Sequence, residues 1–245
     1  MKGIILAGGV GKRLYPITKV TNKHLLPVYK KPMIYYPLET MLGAGIKDIL
    51  LVVGSEHAGD FLKLLGSGRE WNARFTYEVQ EGSGGTAEAL NLAKDFVDNE
   101  DFLVILGDNI LVEPIKKFVE GFRKRKNKFK AKILLAKVKH PEKYGVVTIK
   151  KGKILEISEK PKHPKSNYAV TGLYMFTSEV FDKIKKIKKS PRGEYELTDI
   201  LAQYLNEGSL DYDILGMEWT DAGSFEALVD ATNLMKKFES EGKLK

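Results

Sequence analysis

The fold of this chain is decided by GIILAGGVGKRL, residues 3–14. The first five residues are a short apolar run that contains two isoleucines and ends at glycines, which is typical of a buried β-strand. Gly8, Gly9 and Gly11 have no side chains where the chain must turn, so their backbone N–H groups can approach a phosphate closely. We therefore expect a phosphate-binding loop at the carboxyl end of a strand, the usual ligand edge of an α/β sheet.

Two cationic side chains accompany this loop. Arg13 and Lys23 carry donors that suit phosphate oxygens. Two familiar glycine motifs do not fit, because G-x-G-x-x-G meets Leu14 at its third glycine and the GK[ST] motif meets Arg13 where it needs Ser or Thr. The glycines alone would favour an ordinary tight turn, but the added cations favour polyphosphate binding.

A longer motif runs through residues 6–33. It reads Leu6-Ala7-Gly8-Gly9-x-Gly11-x-Arg13-Leu14-x-Pro16-x-Thr18, then Lys23-x-Leu25-Leu26-Pro27-Val28-x-x-Lys31-Pro32-Met33. This motif resembles the signature of the sugar-1-phosphate nucleotidyltransferases, and among them the glucose-1-phosphate thymidylyltransferases and their uridylyl relatives. It departs from them at Lys12, where the family usually has Thr, and at His24, where the thymidylyl branch often has Gln.

The resemblance implies roles for several residues of this segment. Arg13 and Lys23 would hold the triphosphate and stabilise charge at the reacting phosphorus, which makes them catalytic together with Lys160 further along the chain. The nucleotide would lie against Leu6, Ala7, Gly8, Gly9 and Gly11.

The composition is that of a folded globular protein. The chain has 245 residues, of which 29% are charged and 43% hydrophobic, enough for one α/β domain with a substantial core. It shows no apolar stretch as long as a membrane span, no opening signal peptide, and no cysteine for disulfides or thiolate metal sites. We expect a cytoplasmic enzyme without a membrane partner, and we leave open whether it forms a homo-oligomer.

The net charge of +8 raises the question of a nucleic-acid partner. Much of the excess lies from Arg123 to Lys132 and from Lys183 to Lys189, where Phe129 is the single aromatic residue. A protein that reads nucleic acid needs interleaved aromatic residues or a recognisable module, so we expect no nucleic-acid partner and interpret both stretches as solvated helix faces and loops. The positive field would still favour anionic substrates such as nucleotides.

Strand and helix patterns alternate through the first half of the chain. Apolar runs at 48–54, 75–80 and 102–109 predict strands, and helical patterns stand between them. The alternation predicts right-handed βαβ units and an α/β fold with a Rossmann-like, mostly parallel sheet, of the nucleotide-diphospho-sugar transferase type that the signature resembles. We assign residues 1–112 mainly to nucleotide binding.

The pattern changes after Glu113. Shorter strands predict a smaller mixed or antiparallel part, and the resemblance implies that residues 113–245 bind mainly the sugar phosphate within a single domain of residues 1–245. A strand over 212–219 and a last helix over 224–238 follow. Longer thymidylyl members continue into a C-terminal helical extension with an allosteric nucleotide site, which this short form lacks, so we expect weak or absent feedback regulation through it. The shorter strands are predicted at 132–138, 145–149, 153–159 and 168–176.

Two aspartates are candidate ligands of a hard cation. Asp108 ends the strongest strand pattern, and Asp221 follows the strand predicted over 212–219. Mg²⁺ typically takes one or two carboxylates together with substrate phosphates, so the pair predicts a Mg²⁺ site at which Asp108 also faces the nucleotide. A turn or helix-cap role is the alternative for each aspartate. The resemblance favours the metal, because Leu106-Gly107-Asp108-Asn109 and Trp219-Thr220-Asp221-Ala222-Gly223 match the family's two metal-binding motifs.

A base-reading role is implied for Gln80 and Gly85. Gln80 ends the strand predicted over 75–80, and its amide offers a donor and an acceptor that suit the imide edge of uracil or thymine. Gly85 would let the base or the ribose lie against the backbone. Without the resemblance, Gln80 would be an ordinary polar strand end.

The second half of the chain carries the residues implied for the sugar phosphate. Hexose hydroxyls are discriminated by paired hydrogen bonds. The resemblance implies that Glu159 accepts from sugar hydroxyls, that Lys160 pairs with the anomeric phosphate, and that Arg192 reaches a phosphate. A surface charge pair is the alternative interpretation of Glu159 and Lys160. The further implied contacts are Asn109, Gly145, Val170 and Thr171, and Tyr144 stands in the same cluster with core packing as its alternative.

Together these residues predict nucleotidyl transfer. A sugar-1-phosphate oxygen would attack the α-phosphorus of dTTP or UTP while pyrophosphate departs, and positioning and charge neutralisation would supply the acceleration. Glucose-1-phosphate thymidylyltransferase, which makes dTDP-glucose, is the branch resembled most, and a UTP-dependent uridylyltransferase acting on this or another sugar-1-phosphate stays open. A non-catalytic nucleotide-sugar sensor is disfavoured, because both cations and both aspartates are present.

Overall fold

The computed structural model describes residues 1–82 and 84–243. No helix in these two ranges is both long enough and apolar enough to cross a membrane. The helices are α1 (Tyr35–Gly43), α2 (Ala58–Leu65), α3 (Thr86–Asn91), α4 (Lys94–Val97), α5 (Lys116–Arg125), α6 (Val180–Ile184), α7 (Leu197–Asn206) and α8 (Phe225–Ser240). The strands are β1 (Lys2–Ala7), β2 (Pro27–Val28), β3 (Lys31–Pro32), β4 (Asp48–Gly54), β5 (Arg74–Gln80), β6 (Phe102–Leu106), β7 (Asn109–Leu111), β8 (Ala131–Lys137), β9 (Gly145–Lys150), β10 (Lys153–Glu159), β11 (Tyr168–Phe176), β12 (Leu210–Ile214) and β13 (Trp219–Asp221).

The opening apolar run forms β1, in the middle of a group of parallel strands. β1 lies between β4 and β6 and runs parallel to both, and β5 extends the group beyond β4. Its side chains alternate between two buried layers, with Ile4 and Leu6 in one and Ile5 and Ala7 in the other. Because both faces of the strand are covered, no polar alternation is needed, and the strand reads as a continuous apolar run.

The second half of the chain continues the same nine-stranded sheet. Seven of its strands follow the order β10-β9-β11-β6-β1-β4-β5, and β8 and β12 lie off this path. β11 pairs antiparallel with β6, β8 and β9, and β12 lies parallel to β8. The predicted α/β fold, with a parallel group of strands and a smaller mixed part, is confirmed. The assignment of residues 1–112 to the nucleotide and 113–245 to the sugar phosphate stays a prediction.

The strand that precedes Asp108 is shorter than predicted. β6 ends at Leu106, and Asp108 lies in a turn before β7, which belongs to a separate two-stranded sheet. Gly107 lets this turn pass close to His24, since a Cβ on Gly107 would lie 2.7 Å from Cδ2 of the His24 ring. Asp108 is therefore held between strands of two different sheets and does not simply end one of them.

The predicted strand over 212–219 is wrong. The chain there forms β12 in the large sheet and then β13, which pairs antiparallel with β7. The carboxylate of Glu113 accepts hydrogen bonds from the backbone N–H groups of Gly216 at 2.7 Å and Met217 at 3.3 Å. These bonds hold a turn between the two strands, so that Asp221 lies within β13 and not after a longer strand.

Two lysines depart from the predicted solvated faces. Lys132 in β8 is only 3% exposed and forms ion pairs with Asp211 and Asp213 of β12. Lys183 in α6 is buried against Glu207, with Nζ 2.5 Å from Oε1. A buried ammonium group needs such a partner to offset its desolvation, so part of the basic excess joins secondary-structure elements and does not face solvent.

Candidate active site

The glycine loop lies where the parallel strands end. Gly8 follows β1, and beside it lie Gly54 at the end of β4 and Gln80 at the end of β5. A Cβ on Gly54 would lie 3.1 Å from the carbonyl oxygen of Gly8, and a Cβ on Gly8 would collide with Oε1 of Gln80. Glycine therefore allows the close approach of Gly54 to the loop, and Gln80 borders the loop at Gly8. The base-reading role of Gln80 stays a prediction.

Arg13 is presented by a tight turn of this loop. Gly11 has a φ of +66°, in the left-handed region that favours glycine, and a Cβ on it would lie 2.8 Å from Cγ2 of Thr18. The Thr18 hydroxyl donates to the Gly11 carbonyl at 3.0 Å. The following 3-10 turn, Lys12–Leu14, buries Leu14 and leaves Arg13 exposed. Gly11 thus permits the tight turn, and the turn lets the Arg13 guanidinium reach Gly223.

Lys23 lies across the same loop. It begins the 3-10 turn Lys23–Leu25, which Asn22 caps through a 3.0 Å hydrogen bond from the backbone N–H of His24. Its Cε would be 3.3 Å from a Cβ on Gly9. The His24 ring is buried, and this burial, followed by the charge of Lys23, lowers the pKa of His24 from 6.5 to about 3. The ring is therefore neutral at pH 7 and adds no charge beside Lys23.

Asp108 forms a hydrogen-bonded ion pair with Lys23. Nζ of Lys23 donates to Oδ2 of Asp108 at 2.5 Å, and Nδ2 of Asn109 donates to Oδ1 at 3.0 Å. Burial by itself would raise the pKa of Asp108, but the charge and hydrogen bond of Lys23 outweigh it and hold that pKa well below its usual range. The carboxylate is therefore ionised and oriented in the free protein.

Asp221 reaches the site through the small sheet of β7 and β13. In that sheet Asp221 is paired with Asn109, and the backbone N–H of Ala222 donates to the carbonyl of Asp108 at 2.9 Å. The Tyr144 hydroxyl donates to Oδ1 of Asp221 at 3.0 Å. Burial, followed by the negative charge of Asp108, raises the pKa of Asp221. The two carboxylates therefore repel each other, and a cation between them would be favoured.

Three charged groups converge beside Gly223. From the position of a Cβ on that glycine, the distances are 2.7 Å to Nη2 of Arg13, 3.3 Å to Oδ2 of Asp221 and 3.4 Å to Oδ2 of Asp108. Two carboxylate oxygens facing one point fit Mg²⁺, which completes its coordination with phosphate or water oxygens. Across residues 1–82 and 84–243 no cluster of three or more potential His, Cys, Asp or Glu ligands occurs.

The residues predicted for the sugar phosphate gather around Gly145 of β9. From the position of a Cβ on this glycine, the distances are 2.9 Å to Cγ2 of Thr198, 3.4 Å to Oε2 of Glu159 and 3.5 Å to Cγ2 of Val170. The Thr198 hydroxyl donates to Oε2 of Glu159 at 3.0 Å. Three antiparallel strands and α7 thus meet at a point where only glycine fits without displacing a neighbour.

Lys160 and Arg192 flank Glu159. Nη1 of Arg192 donates to Oε1 of Glu159 at 3.4 Å, its Nη2 donates to Glu194 at 2.7 Å, and Nζ of Lys160 is 3.7 Å from the Glu159 carboxylate. The backbone N–H of Lys160 donates to the carbonyl of Tyr144 at 3.0 Å. Because the Tyr144 hydroxyl contacts the aspartate pair, this backbone bond ties the sugar-phosphate cluster to the candidate metal site.

Comparison with known proteins assigns the family. The family profile described as "Nucleotidyl transferase" matches residues 2–237. The chain belongs to the nucleotidyl transferase family. The family resemblance seen in the glycine loop and the two aspartate motifs is thereby confirmed, and it extends over nearly the whole sequence.

Several similar proteins carry more specific names. The glucose-1-phosphate thymidylyltransferase of Neisseria meningitidis is 41% identical over 244 residues, which cover 98% of this chain and 84% of that protein. The protein of the same name from Mycobacterium tuberculosis is 41% identical over 252 residues, covering 100% and 85%. A Bacillus anthracis structure assigned as a glucose-1-phosphate thymidylyltransferase is 53% identical, with a TM-score of 0.91 and coverage of 96% and 94%. A UDP-glucose pyrophosphorylase with bound UDP-glucose is 27% identical, with a TM-score of 0.84 and coverage of 96% and 98%.

Two residues predicted to contact the sugar have their side chains engaged inside this nucleotidyl transferase. Thr171 has no exposed surface, and its hydroxyl donates to the Leu134 carbonyl at 2.9 Å, so it is not brought to the sugar-phosphate cluster. The side-chain oxygen of Asn109 accepts from the backbone N–H of Gly172 at 2.8 Å and from the Trp219 indole at 2.7 Å. Asn109 therefore holds β11 and β13 in place while its amide nitrogen orients Asp108.

Gly85 has a structural role in the free protein. Its φ is +104°, and a Cβ on it would lie 2.7 Å from the carbonyl oxygen of Tyr195. Tyr195 also donates its N–H to Gly84 at 2.8 Å and accepts the N–H of Ala87 at 3.1 Å. The side of Gly85 on which a Cβ would lie thus faces the Tyr195 backbone. The predicted contact with a base would have to use the opposite side.

Sequence reasoning missed two residues beside the predicted sites. Thr198 has no predicted role, because a single hydroxyl on a helix carries no recognisable pattern. Glu88 accepts a hydrogen bond from Nε2 of Gln80 at 3.2 Å, across eight residues of sequence. Both contacts arise where a helix packs against strand ends, and no spacing rule in the sequence indicates them.

Proposed function

We propose that this chain transfers a thymidylyl group from dTTP to glucose-1-phosphate, giving dTDP-glucose and pyrophosphate. The convergence of Arg13, Asp108 and Asp221 beside the glycine loop carries the proposal, because it gathers a cation and a carboxylate pair where a triphosphate would lie. The names of relatives that match nearly the whole chain support this substrate pair. Because the reaction consumes a nucleoside triphosphate, the proposal places it in the cytoplasm.

The proposed reaction is an in-line displacement at phosphorus. A phosphate oxygen of glucose-1-phosphate attacks the α-phosphorus of dTTP and forms a new P–O bond. The bond from the α-phosphorus to the oxygen that bridges to the β-phosphorus breaks, and pyrophosphate leaves with the electron pair. No general base is needed, because the second pKa of a phosphate monoester is about 6 and the nucleophile is largely ionised at pH 7. The protein supplies position and electrostatic stabilisation.

On the nucleotide side, the cations neutralise the triphosphate. Arg13 offers a fork of N–H donors to the phosphate oxygens, and Lys23 is held over the loop by Asp108. Asp108 and Asp221 would hold Mg²⁺, which when bound neutralises charge on the phosphates of both substrates. Gln80, beside Gly8, contacts the base.

On the sugar side, the charged residues orient the nucleophile. Lys160 and Arg192 pair with the phosphate of glucose-1-phosphate, and Glu159 accepts hydrogen bonds from the sugar hydroxyls. Both cations already share Glu159 in the free protein, so the phosphate takes the place of a weak, partly exposed ion pair. Tyr144 keeps this cluster in register with Asp221.

Transfer from UTP is a second candidate. The similar UDP-glucose pyrophosphorylase structure, with a TM-score of 0.84, favours it, because that protein was solved with a uridylyl sugar bound. Thymine and uracil differ by one methyl group, a contrast worth about 1–3 kcal/mol in a hydrophobic pocket. The choice between dTTP and UTP is therefore quantitative and has to be measured.

Pyrophosphate release by the purified chain tests the proposal. dTTP and UTP are each combined with the 1-phosphates of glucose, N-acetylglucosamine, galactose and mannose, with Mg²⁺ and again with excess EDTA. We expect the highest kcat/KM for dTTP with glucose-1-phosphate, and loss of turnover in EDTA that added Mg²⁺ restores. A preference for UTP would support the second candidate. If the folded protein releases no pyrophosphate with any substrate pair, catalysis is contradicted and a non-catalytic nucleotide-sugar sensor is favoured.

A further inference from the structure

The amide of Gln80 is held in one orientation. Gln80 is only 7% exposed at the end of β5, and its Nε2 donates to Oε2 of Glu88 at 3.2 Å and to the carbonyl oxygen of Gly85 at 3.4 Å. A carboxylate and a carbonyl can only accept hydrogen bonds, so a flipped amide would bring oxygen against oxygen on both sides. The Oε1 atom is consequently the one that faces Gly8 at the end of β1.

Glu88 is itself fixed by the loop that follows β5. The same Oε2 atom accepts the backbone N–H of Gly84 at 3.0 Å. The carboxylate lies flat against Gly84, since a Cβ on that glycine would collide with its carbon and both oxygens. The backbone of Gly84 lies outside the left-handed region, so its lack of a side chain is needed for this close approach and not for a special turn.

We infer that Glu88 is a positioning residue for base selection, which locks Gln80 so that the active site presents an acceptor, Oε1, to the base. This inference rests on the proposed function, in which Gln80 contacts the base. Thymine and uracil carry a donor, the N3–H of their imide, whereas N3 of cytosine is an acceptor. Oε1 would bond the first two bases and face the lone pair of the third. Glu88 therefore sets the class of base, and the thymine methyl group is read elsewhere.

The magnitude follows from hydrogen-bond complementarity. A site built to bond a substrate N–H rejects an analogue that lacks it by about 10⁴-fold or more, because polar groups are left unpaired. If Glu88 no longer holds the amide, Gln80 can rotate and offer its NH₂ group to cytosine. Discrimination between thymine and cytosine should then narrow, and the affinity for dTTP should fall because the amide is no longer preorganised.

The test compares Glu88→Leu with Glu88→Gln in the full chain. Leucine removes the acceptor at similar size, whereas glutamine keeps one oxygen that can accept from both Gly84 and Gln80. We expect Glu88→Leu to lower kcat/KM for dTTP by about tenfold, mainly through KM, and to narrow the ratio of kcat/KM for dTTP over dCTP by at least about tenfold. Glu88→Gln should restore most of both quantities.

Glycine substitutions give an independent arm. Gly84→Ala should displace the Glu88 carboxylate and reproduce the narrowed ratio with Glu88 intact. Gly59→Ala in α2, where a Cβ would meet nothing within 4 Å, is the matched control and should leave the ratio unchanged. Equal loss for dTTP and dCTP in Glu88→Leu, or no recovery in Glu88→Gln, would show a merely structural role and overturn the inference.

Calorimetric binding of dTDP and dCDP separates this inference from the proposed function. If the wild-type chain binds dTDP but turns over no substrate, the proposed function fails. The inference is then judged from the ratio of the affinities for dTDP and dCDP alone. A ratio that narrows in Glu88→Leu and recovers in Glu88→Gln supports positioning of Gln80. A ratio unchanged by either variant contradicts it.

Discussion

The proposed nucleotide side of the candidate site, around Lys23 and Asp108, and the proposed sugar side, around Glu159, are built differently. The Lys23–Asp108 pair has side chains 14% and 12% exposed and lies beside strand ends of the sheet. Lys160 and Arg192 are 44% and 41% exposed and share the carboxylate of Glu159. Loss of one partner of a buried ion pair strongly destabilises the folded protein, whereas the charges of an exposed pair are screened by water. The nucleotide side is thus organised in the free protein, and the sugar side is organised more loosely.

The comparison implies that single substitutions cost most on the nucleotide side. Asp108→Asn keeps the shape of the side chain and removes its charge. We expect turnover to fall by about 10²–10³-fold, equivalent to about 3–4 kcal/mol, because a metal ligand and the partner of Lys23 are lost together. Steady-state pyrophosphate release measures kcat, and circular dichroism checks the fold.

A remote aspartate controls for this substitution. Asp60→Asn on α2 alters an exposed carboxylate whose partner is His57, and it should leave kcat within about twofold. Wild-type turnover in Asp108→Asn would remove Asp108 from the candidate metal site. It would also remove the asymmetry between the two sides.

The buried His24 ring predicts that acid destabilises the folded protein. Burial lowers the pKa of His24 from 6.5 to about 3, so the unfolded chain takes up a proton below pH 6.5 that the folded protein refuses. Stability should therefore fall as the pH decreases from 6.5 toward 3, with a contribution of up to about 1.4 kcal/mol per pH unit from this group. Urea unfolding at pH 6.5 and pH 5 measures the difference, about 2 kcal/mol at most.

His24→Gln isolates this contribution. Glutamine does not titrate, so the slope of unfolding free energy against pH should flatten in this variant. His140→Gln, at a ring that is 67% exposed, serves as the control and should leave the slope as it is in the wild type. An unchanged slope in His24→Gln would show that the ring is not the group that resists protonation.

The nucleotide side is also the side that sequence predicts well. The glycines, Arg13 and Lys23 lie within one short segment, and each meets a local requirement of backbone conformation or charge. The sequence identifies Asp108 as a candidate but predicts its turn as part of a strand, because an apolar run does not show where strand pairing ends. Local motifs therefore indicate which candidate residues lie together, and they indicate less well where an element stops.

The sugar side depends on contacts that are distant in sequence. Gly145, Glu159 and Thr198 come from β9, β10 and α7 and meet only when the antiparallel strands are paired. Thr171 matches the family motif, but it lies where the register between β11 and β8 shifts. Its hydroxyl is buried there and donates to the Leu134 carbonyl. Strand register decides which face a side chain takes, and no pattern in the sequence determines it here.

Tyr144 connects the two sides of the site. Loss of its hydroxyl should lower activity less than Asp108→Asn does. In the wild type, the hydrogen bond from the Tyr144 hydroxyl lowers the pKa of Asp221 and opposes the effect of burial. Tyr144→Phe removes this hydrogen bond. The pKa of Asp221 should rise further, so the acid limb of the activity profile should move to higher pH. We expect kcat/KM at pH 7 to fall by about tenfold, or about 1.4 kcal/mol.

The pH profile of kcat/KM at limiting Mg²⁺ measures this shift. Tyr212→Phe removes a hydroxyl that donates to the Gly152 carbonyl at 3.1 Å on an exposed surface, and it should change neither limb. A uniform loss at every pH in Tyr144→Phe would mean that the hydroxyl positions the Asp221 carboxylate without tuning its pKa.

The smallest effect should come from Thr198 on the sugar side. Thr198→Val keeps the branched shape and removes the 3.0 Å hydrogen bond to Glu159, whose carboxylate Arg192 still contacts. Losing one partly exposed hydrogen bond costs about 1 kcal/mol, so we expect KM for glucose-1-phosphate to rise about fivefold while KM for dTTP stays constant. Thr232→Val on α8 removes a hydroxyl that bonds only its own helix at 2.9 Å and serves as the matched control. A loss as large as that of Asp108→Asn would show that the sugar side is no less tightly organised than the nucleotide side.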